Sequence, residues 1–284
     1  MEKKKRYLRN IYLTLLSLAT IAAICYGTFT RIGMPVLHIS DDDFFFGFYN
    51  EGNETTKKAI EPFSSVRIEL KNADVSLKSG ADYLLNYRGN KSRFPVYHME
   101  NDVLVISDPS TGKAPTGLLT VIVPKELSSM GEWDISTANG DVTVAFDQEL
   151  TIGAVNISSE NGDLNLSSKQ TATGDAVKLN SKNGDLSLSN WNGNSLHASS
   201  ENGDVTAEKI CFETTDLTSD TGDLSVKPSD HLSEYRYHLT GGEGDISIAD
   251  GIYDGSPDSK SEITVGKGEK DMTLRSQNGD IVVQ

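Results

Sequence analysis

The chain has 284 residues, two cysteines and a formal net charge of −15. This acidity argues against a nucleic-acid-binding protein, because phosphate recognition needs a basic surface. Two cysteines are too few for a small secreted scaffold held together by several disulfides. The 25 glycines, with aromatic residues at only 7%, favour a turn-rich β protein over a helical bundle.

The charge divides the chain into two unequal parts. Residues 1–31 contain six basic groups and one acidic group, a net of +5, which leaves −20 on the remaining residues. The uncharged apolar run Ile11–Phe29 is long enough to span about 28 Å as a helix. We therefore predict a cytoplasmic basic tail at 1–9, a transmembrane helix at 10–30 and an extracytoplasmic remainder. The length of the run favours a retained anchor over a cleaved signal peptide.

Two segments precede the main domain signal. Residues 31–62, which include the cluster Phe44–Tyr49, are predicted to be a juxtamembrane linker. The aromatic cluster suits either a membrane interface or the cover of a domain end. Residues 63–133 read as capping strands, because apolar and polar residues alternate there. Within them, Asn72-Ala-Asp-Val-Ser-Leu77 resembles a degenerate copy of a repeat that follows.

That repeat fills residues 134–284 and is the strongest signal in the sequence. Each copy has the form apolar-x-Ser/Thr-x-Asn-Gly-Asp-apolar-x-apolar, with some substitution at the asparagine. Successive motif aspartates are separated by 22, 22, 19, 19, 22 and 35 residues. They are Asp141, Asp163, Asp185, Asp204, Asp223, Asp245 and Asp280.

The repeat predicts a fold. Period-2 alternation on both sides of the Gly-Asp pair indicates two half-buried strands joined by a corner. Glycine supplies the backbone freedom for a tight reversal, and aspartate can bond to nearby backbone. A unit of about 20 residues must stack on its neighbours to bury its apolar side. We predict an all-β, single-stranded β-solenoid with Asn-Gly-Asp corners; a sandwich of hairpins is the alternative.

The alternating strands, the sequence Asn72–Leu77, an extended Val-Pro-Lys at 123–125 and the serial Asn-Gly-Asp copies together resemble the bacterial putative adhesin family. The resemblance covers residues 60–284 and implies β-solenoid domains of unknown biochemical activity. With the N-terminal apolar segment, the layout is similar to members encoded beside cell-envelope stress-response systems. This similarity implies a membrane-anchored extracytoplasmic domain without known catalysis.

A row of acidic corners raises calcium binding as a hypothesis for the seven motif aspartates. Calcium takes six to eight oxygen ligands, and one aspartate per coil supplies too few without help. The spacing of 19–22 residues also differs from that of calcium-binding nonapeptide rolls. We favour a structural role for these residues over metal ligation and predict no cofactor.

Catalytic patterns are missing from the sequence. His197, His231 and His238 are scattered without metal-ligand spacing, and no Gly-x-Ser-x-Gly elbow or phosphate loop occurs. A polysaccharide-cleaving solenoid would need clustered carboxylates and exposed aromatics, for which Trp191 and Tyr235 are among the few candidates. Cys211, between Ile210 and Phe212, is expected to be a small buried residue.

The resulting functional hypothesis is a non-enzymatic binding or scaffold module on the outer side of the cell membrane. A surface adhesin or glycan-binding domain is the alternative, and a cell-wall polysaccharide enzyme is a weaker one. Expected partners are the membrane, envelope proteins or cell-wall glycan, and not nucleic acid. Because the repeats continue to Gln284, an open C-terminal coil could also allow self-association; alternatively, residues 250–262 fold over it.

Overall fold

The computed structural model describes residues 34–39, 44–49, 54–110, 114–256 and 262–284. The predicted basic tail and transmembrane segment lie outside these residues. In the part of the chain described, no helix combines the length and apolar character needed to cross a bilayer. The described residues belong to two units, which comprise residues 1–53 and 54–284.

The described secondary structure is almost entirely β. Two short 3-10 helices occur at Lys91–Arg93 and Leu232–Glu234. The strands are β1 Met34–Ile39, β2 Phe44–Tyr49, β3 Glu54–Ala59, β4 Ser65–Leu70, β5 Ala73–Gly80, β6 Leu84–Gly89, β7 Val96–Glu100, β8 Val103–Ser107, β9 Gly117–Pro124, β10 Ser129–Met130, β11 Trp133–Asn139, β12 Val142–Phe146, β13 Leu150–Asn161, β14 Leu164–Asn183, β15 Leu186–Asn202, β16 Val205–Thr221, β17 Leu224–Pro228, β18 Tyr235–Glu243, β19 Ile246–Ile248, β20 Tyr253–Gly255, β21 Glu262–Gly266, β22 Lys270–Asn278 and β23 Ile281–Val283.

The predicted linker at residues 31–62 contains strands. In the first unit, β1 and β2 pair as an antiparallel hairpin, with Met34 opposite Tyr49 and Ile39 opposite Phe44. In the second unit, β3 pairs antiparallel with β6. The linker interpretation gave too little weight to β-branched and aromatic residues, which favour extended backbone even in a short segment.

The second unit is a parallel β-solenoid, which confirms the predicted all-β fold class. Strand segments before each corner stack into a first face, and segments after it stack into a second face. A narrower third face closes the middle coils and includes β10 and parts of β13, β14, β15 and β16. Neighbouring coils pair in parallel register, so equivalent repeat positions lie above one another.

The order of the coils in space differs from their order along the chain. The coil of β4 and β5 lies between that of β8 and β9 and that of β11 and β12. At the other end, the coil of β22 and β23 lies between β16–β17 and β18–β19. Of the two alternatives for the C-terminal coil, the open one is wrong, because β23 is paired along both edges.

Antiparallel strands cover both ends of the stack. β7 pairs with β8, and β6 followed by β3 covers β9. At the opposite end, β20 pairs with β19 and β21 pairs with β18. The excursion predicted near residues 250–262 thus supplies part of a cap. Antiparallel cover of this kind removes open edges from the regular coils.

The core consists of rows of apolar side chains, one from each coil. On the first face a row runs through Ile135, Ile157, Leu179 and Leu217, and all four are almost fully buried. Each such side chain contributes roughly 1.5–3 kcal/mol through burial. Towards the third face the interior is wider, and Trp133 and Trp191 fill it with an edge-to-face contact at 6.4 Å.

Candidate functional site

The predicted corner aspartates form a single continuous column, which we call the corner ladder. The backbone N–H of each of the seven motif aspartates donates to Oδ1 of an aspartate in the neighbouring coil, at 2.8–3.1 Å. In spatial order the column runs Asp74, Asp141, Asp163, Asp185, Asp204, Asp223, Asp280 and Asp245. Asp74 shows that Asn72-Ala73-Asp74 is a true corner, as its sequence indicates.

Asparagine and serine form parallel ladders beside the aspartates. Asn183 Nδ2 donates to Asn161 Oδ1 at 2.9 Å, and Asn202 repeats this bond to Asn183 at 3.0 Å. Ser181 Oγ donates to the carbonyl oxygen of Gly162 at 3.0 Å. The motif residues therefore pair with their equivalents in the next coil, and each additional copy satisfies polar groups of the previous one.

The corner glycines are required chiefly because the coils approach closely. A Cβ on Gly184 would lie 2.1 Å from the carbonyl oxygen of Gly162, and Gly162 has the same relation to Gly140. Among the seven motif corners, only Gly203, Gly222 and Gly244 have φ between +144° and +158°. The sequence interpretation identified the right residue but gave turn geometry as the reason, where stacking distance is the more general one.

The ladder limits what the aspartates can offer a cation. Each bonded Oδ1 already accepts a backbone hydrogen bond, which leaves Oδ2 and one lone pair of Oδ1 for other contacts. Within the described residues, no group of three or more His, Cys, Asp or Glu side chains is placed to hold a metal ion. Calcium binding by the motif aspartates thus stays an untested hypothesis, and the described residues assemble no ligand set for it.

A polar groove of about 940 Å³ lies on the outer side of the first face. Its floor is a row of outward side chains in register, namely Ser136, Ser158, Asn180 and Ser199. Residues 107–110, which follow β8, bound one end. At about 4.8 Å per coil, the row from Glu69 to Ser199 is about 19 Å long. The groove has the shape to hold an extended ligand lying across the strands.

Charged side chains of both signs line the groove. Lys182 Nζ lies 3.8 Å from Glu160 Oε1, and both side chains are more than half exposed. Glu69, Glu201 and Asp108 add further acidic groups to the lining. Oδ1 of Asp108 is buried and has no hydrogen-bond partner among the described residues. The lining therefore offers hydroxyl, amide, carboxylate and ammonium groups, which suit a ligand rich in hydrogen-bonding groups.

Sequence reasoning missed this groove. Period-2 alternation shows that Ser136, Ser158 and Ser199 point outward. It gives no reason to choose the first face over the second, whose outward row includes Asn165 and Ser187. The groove depends on the segment 107–110 beside the sheet, and no repeat pattern marks that segment.

A family model described as Toastrack DUF4097 matches residues 55–284. The chain belongs to this family. The match covers the whole second unit, including the strands before the regular repeats. No curated protein matches the chain.

Several solved structures resemble this Toastrack chain at low identity. A putative adhesin from Bacteroides fragilis is 15% identical with a TM-score of 0.40, covering 81% of this chain and 96% of its own. A putative adhesin from Parabacteroides merdae is 10% identical with a TM-score of 0.42, covering 81% and 95%. A putative lipid binding protein from Parabacteroides distasonis is 11% identical with a TM-score of 0.37, covering 81% and 96%. These names describe those proteins alone.

The residues considered for catalysis are dispersed in the Toastrack domain. Trp191, Tyr235 and Tyr237 are buried in the core and present no exposed ring for a sugar. His197 lies 3.6 Å from Asp216, whereas His238 lies 3.5 Å from Asp271 on a different coil. Both pairs are on the outer surface of the first face and are at least one-third exposed. The structure brings none of these residues into one pocket.

Cys211 differs from its prediction as a small buried residue. It is half-buried on the third face, because it alternates with the buried Ile210 and Phe212. Its Sγ donates to Asp230 Oδ2 at 2.9 Å and accepts from Lys270 Nζ at 3.2 Å, and Lys270 also bonds to Asp230. The mistake came from treating the apolar neighbours as its environment, although alternate strand residues face opposite sides.

The charges in this cluster support one another. Burial, followed by the hydrogen bond to Asp230, raises the pKa of the Cys211 thiol, which stays protonated. Hydrogen bonds from Cys211 and Lys270 lower the pKa of Asp230. The hydrogen bond to Asp230 raises the pKa of Lys270. A protonated thiol is a poor nucleophile, so the cluster acts as a polar connection between segments.

Proposed function

We propose that the protein is a membrane-anchored, non-enzymatic binding module of the bacterial cell envelope, with the groove on the first face as its ligand site. The observation that carries this proposal is the polar row Ser136–Ser199 in a groove about 19 Å long. A site of this length suits an extended polymer better than a single ion or a compact metabolite.

The chemistry of the lining favours a hydroxyl-rich ligand. We propose cell-wall glycan as this ligand. Hydroxyl and amide groups can both donate and accept hydrogen bonds, and Ser158 and Asn180 offer such groups at neighbouring coils. The lining residues within the described part of the chain include no aromatic side chain. Binding would therefore depend on several hydrogen bonds in series, and affinity would grow with polymer length.

Binding of purified cell-wall glycan to the full-length protein tests this proposal. Ser158→Trp places a large side chain on the groove floor, and Ser187→Trp places the same side chain on the outward row of the second face. Both serines are half-buried and outward, so the two variants carry a comparable structural burden. We expect the Ser158→Trp protein to stop sedimenting with the cell-wall glycan and the Ser187→Trp protein to continue to sediment with it.

Equal retention of glycan by both variants, or no binding by the unsubstituted protein, would remove the glycan proposal. Crosslinking in intact membranes followed by purification then decides whether an envelope protein occupies the groove. In that case the crosslinked partner should disappear from Ser158→Trp and persist in Ser187→Trp. Loss of every partner from both variants would point to misfolding or to a different surface.

The anchoring and the stress-response role are further parts of the proposal. The apolar run Ile11–Phe29 with its basic flank supports an anchor whose bulk domain is outside the cell. Mass spectrometry of the mature N-terminus should find residue 1 or 2, and a start near residue 28 would overturn retention. The layout resembles that of LiaG, encoded with the Lia envelope stress-response system of Gram-positive bacteria. A deletion strain with an unchanged envelope-stress reporter would contradict that role.

A further inference from the structure

The slot between the coils of β16–β17 and β18–β19 is built by segments distant from the coil that fills it. β22 pairs with β16 on one edge and with β18 on the other. β23 likewise lies between β17 and β19. The slot is thus formed by neighbouring strands. The segment that occupies it, residues 270–284, fits through its alternation of inward apolar residues and its Asn-Gly-Asp corner.

Residues 270–284 contact the walls of the slot along their whole length. The inward side chains of Met272, Leu274, Ile281 and Val283 are each at most 1% exposed. At the corner, Asp280 N–H donates to Asp223 Oδ1 and Asp280 Oδ1 accepts from Asp245 N–H, both at 2.8 Å. A vacated slot would expose apolar side chains of the neighbouring coils and the unpaired edges of four strands, β16, β17, β18 and β19. Such a slot must be refilled by a segment with the same pattern.

The covalent path into the slot is short and tightly packed. Only residues 267–269 separate β21, on one edge of β18, from β22 on its other edge. A Cβ on Gly268 would lie 1.9 Å from the carbonyl carbon of Glu234, so only glycine fits this crossing. Short, tightly packed hinges of this kind favour domain swapping, in which the segment after the hinge enters a second molecule when the hinge fails to fold back within its own chain.

We propose that two copies of this chain associate by reciprocal exchange of residues 270–284, each copy filling the other's slot. The interface in the exchanged pair repeats the contacts already present within one copy, with the hinge at 267–269 extended. The Lys270–Asp230–Cys211 cluster would then form between copies, since Lys270 enters with the exchanged segment. The inference concerns the end of the stack and is independent of the groove.

Disulfide trapping between co-expressed full-length chains tests the exchange. Thr218 and Arg275 are register partners on β16 and β22, with side chains directed outward. One chain carries Thr218→Cys and the other Arg275→Cys, with both native cysteines changed to serine. In the control pair, Thr218→Cys is combined with Ser158→Cys, an outward position three coils away. We expect a several-fold excess of intermolecular disulfide for the first pair.

A hinge variant strengthens the test. Gly268→Ala prevents the close crossing beside Glu234 and should increase the disulfide-linked dimer in the 218/275 pair but not in the control. A single chain carrying both Thr218→Cys and Arg275→Cys should form the disulfide in either arrangement, within one copy when the slot holds its own segment and between copies when the segments are exchanged, which verifies the distance. Equal trapping of both pairs, a double variant whose disulfide is only intramolecular while the 218/275 pair is not trapped, or a double variant that forms no disulfide of either kind would each overturn the exchange. If Gly268→Ala fails to fold, the comparison with native Gly268 still decides the matter.

Discussion

Substituting Gly184 by alanine should destabilise the solenoid far more than the same change at Gly251. The Cβ added at position 184 would lie 2.1 Å from the carbonyl oxygen of Gly162 and 2.5 Å from its carbonyl carbon. Both distances are well inside van der Waals contact, and the nearby atoms are backbone atoms that belong to paired coils. The two coils would therefore have to separate locally by about 1 Å, which is an overpacking effect.

The cost follows from the bonds that this separation weakens. Around the corner, Gly162 N–H donates to Asn183 O at 3.1 Å, and Asp185 N–H donates to Asp163 Oδ1 at 2.8 Å. Ser181 Oγ adds a third bond, to Gly162 O at 3.0 Å. At about 1 kcal/mol per bond, the loss is about 3 kcal/mol in the free energy of unfolding. For a unit of this size the melting temperature should fall by about 6–12 °C.

Gly251 provides the matched control. Its φ is +72°, and nothing lies within 4 Å of an added Cβ, so alanine there costs about 1 kcal/mol of backbone strain. Melting can be followed by tryptophan fluorescence, because Trp133 and Trp191 are the two tryptophans of the chain and both are fully buried. If Gly184→Ala melted no lower than Gly251→Ala, close coil stacking would not be the reason for glycine at the corner.

Two further predictions concern titration and charge. Burial raises the pKa of Tyr237 from 10.0 to about 12, so its contribution is complete below pH 10 and is lost as the pH rises to 12. Tyr237→Phe, which removes the hydrogen bond to Leu232 O, should cost about 1 kcal/mol at neutral pH. Between pH 10 and 12 the free energy of unfolding, measured by urea titration, should fall by about 2–3 kcal/mol less in Tyr237→Phe than in the unsubstituted protein; an identical fall would contradict the shift. Lys270→Met should destabilise the fold by about 2 kcal/mol in urea titration, because it leaves Asp230 without its ammonium partner. Lys169→Met, at an exposed ion pair, should cost close to nothing, and equal costs would refute the role of the cluster.

The sequence predicts the fold class because each repeat shows which residues face the interior and where the chain bends. Alternation assigns residues such as Ile157 and Leu179 to the interior, and the structure places them in one row. The Asn-Gly-Asp copies indicate where each coil bends, and Asp163 and Asp185 bond at equivalent positions. These features are local or nearest-neighbour properties, and they can be read from short stretches of sequence.

The candidate groove and the coil order could not be predicted in the same way. The groove requires residues 107–110 to lie beside Ser136 and Ser158, a contact between segments without a shared pattern. Cys211 was misjudged because its partners Asp230 and Lys270 come from other parts of the chain. Each of these features depends on which coil lies next to which, and repeats with identical corners carry little information about that choice.

The same chemical identity explains how a coil can enter the stack out of sequence order. Asp280 occupies a rung between Asp223 and Asp245 with the same 2.8 Å bonds that Asp204 makes between Asp185 and Asp223. Since corner chemistry does not distinguish one neighbour from another, position in the stack must be specified by connections and caps. At the C-terminal end these are the crossing at Gly268 and the antiparallel cover of β20 and β21. Specificity of assembly therefore depends on a few non-repeated residues, and the regular repeats supply most of the stability.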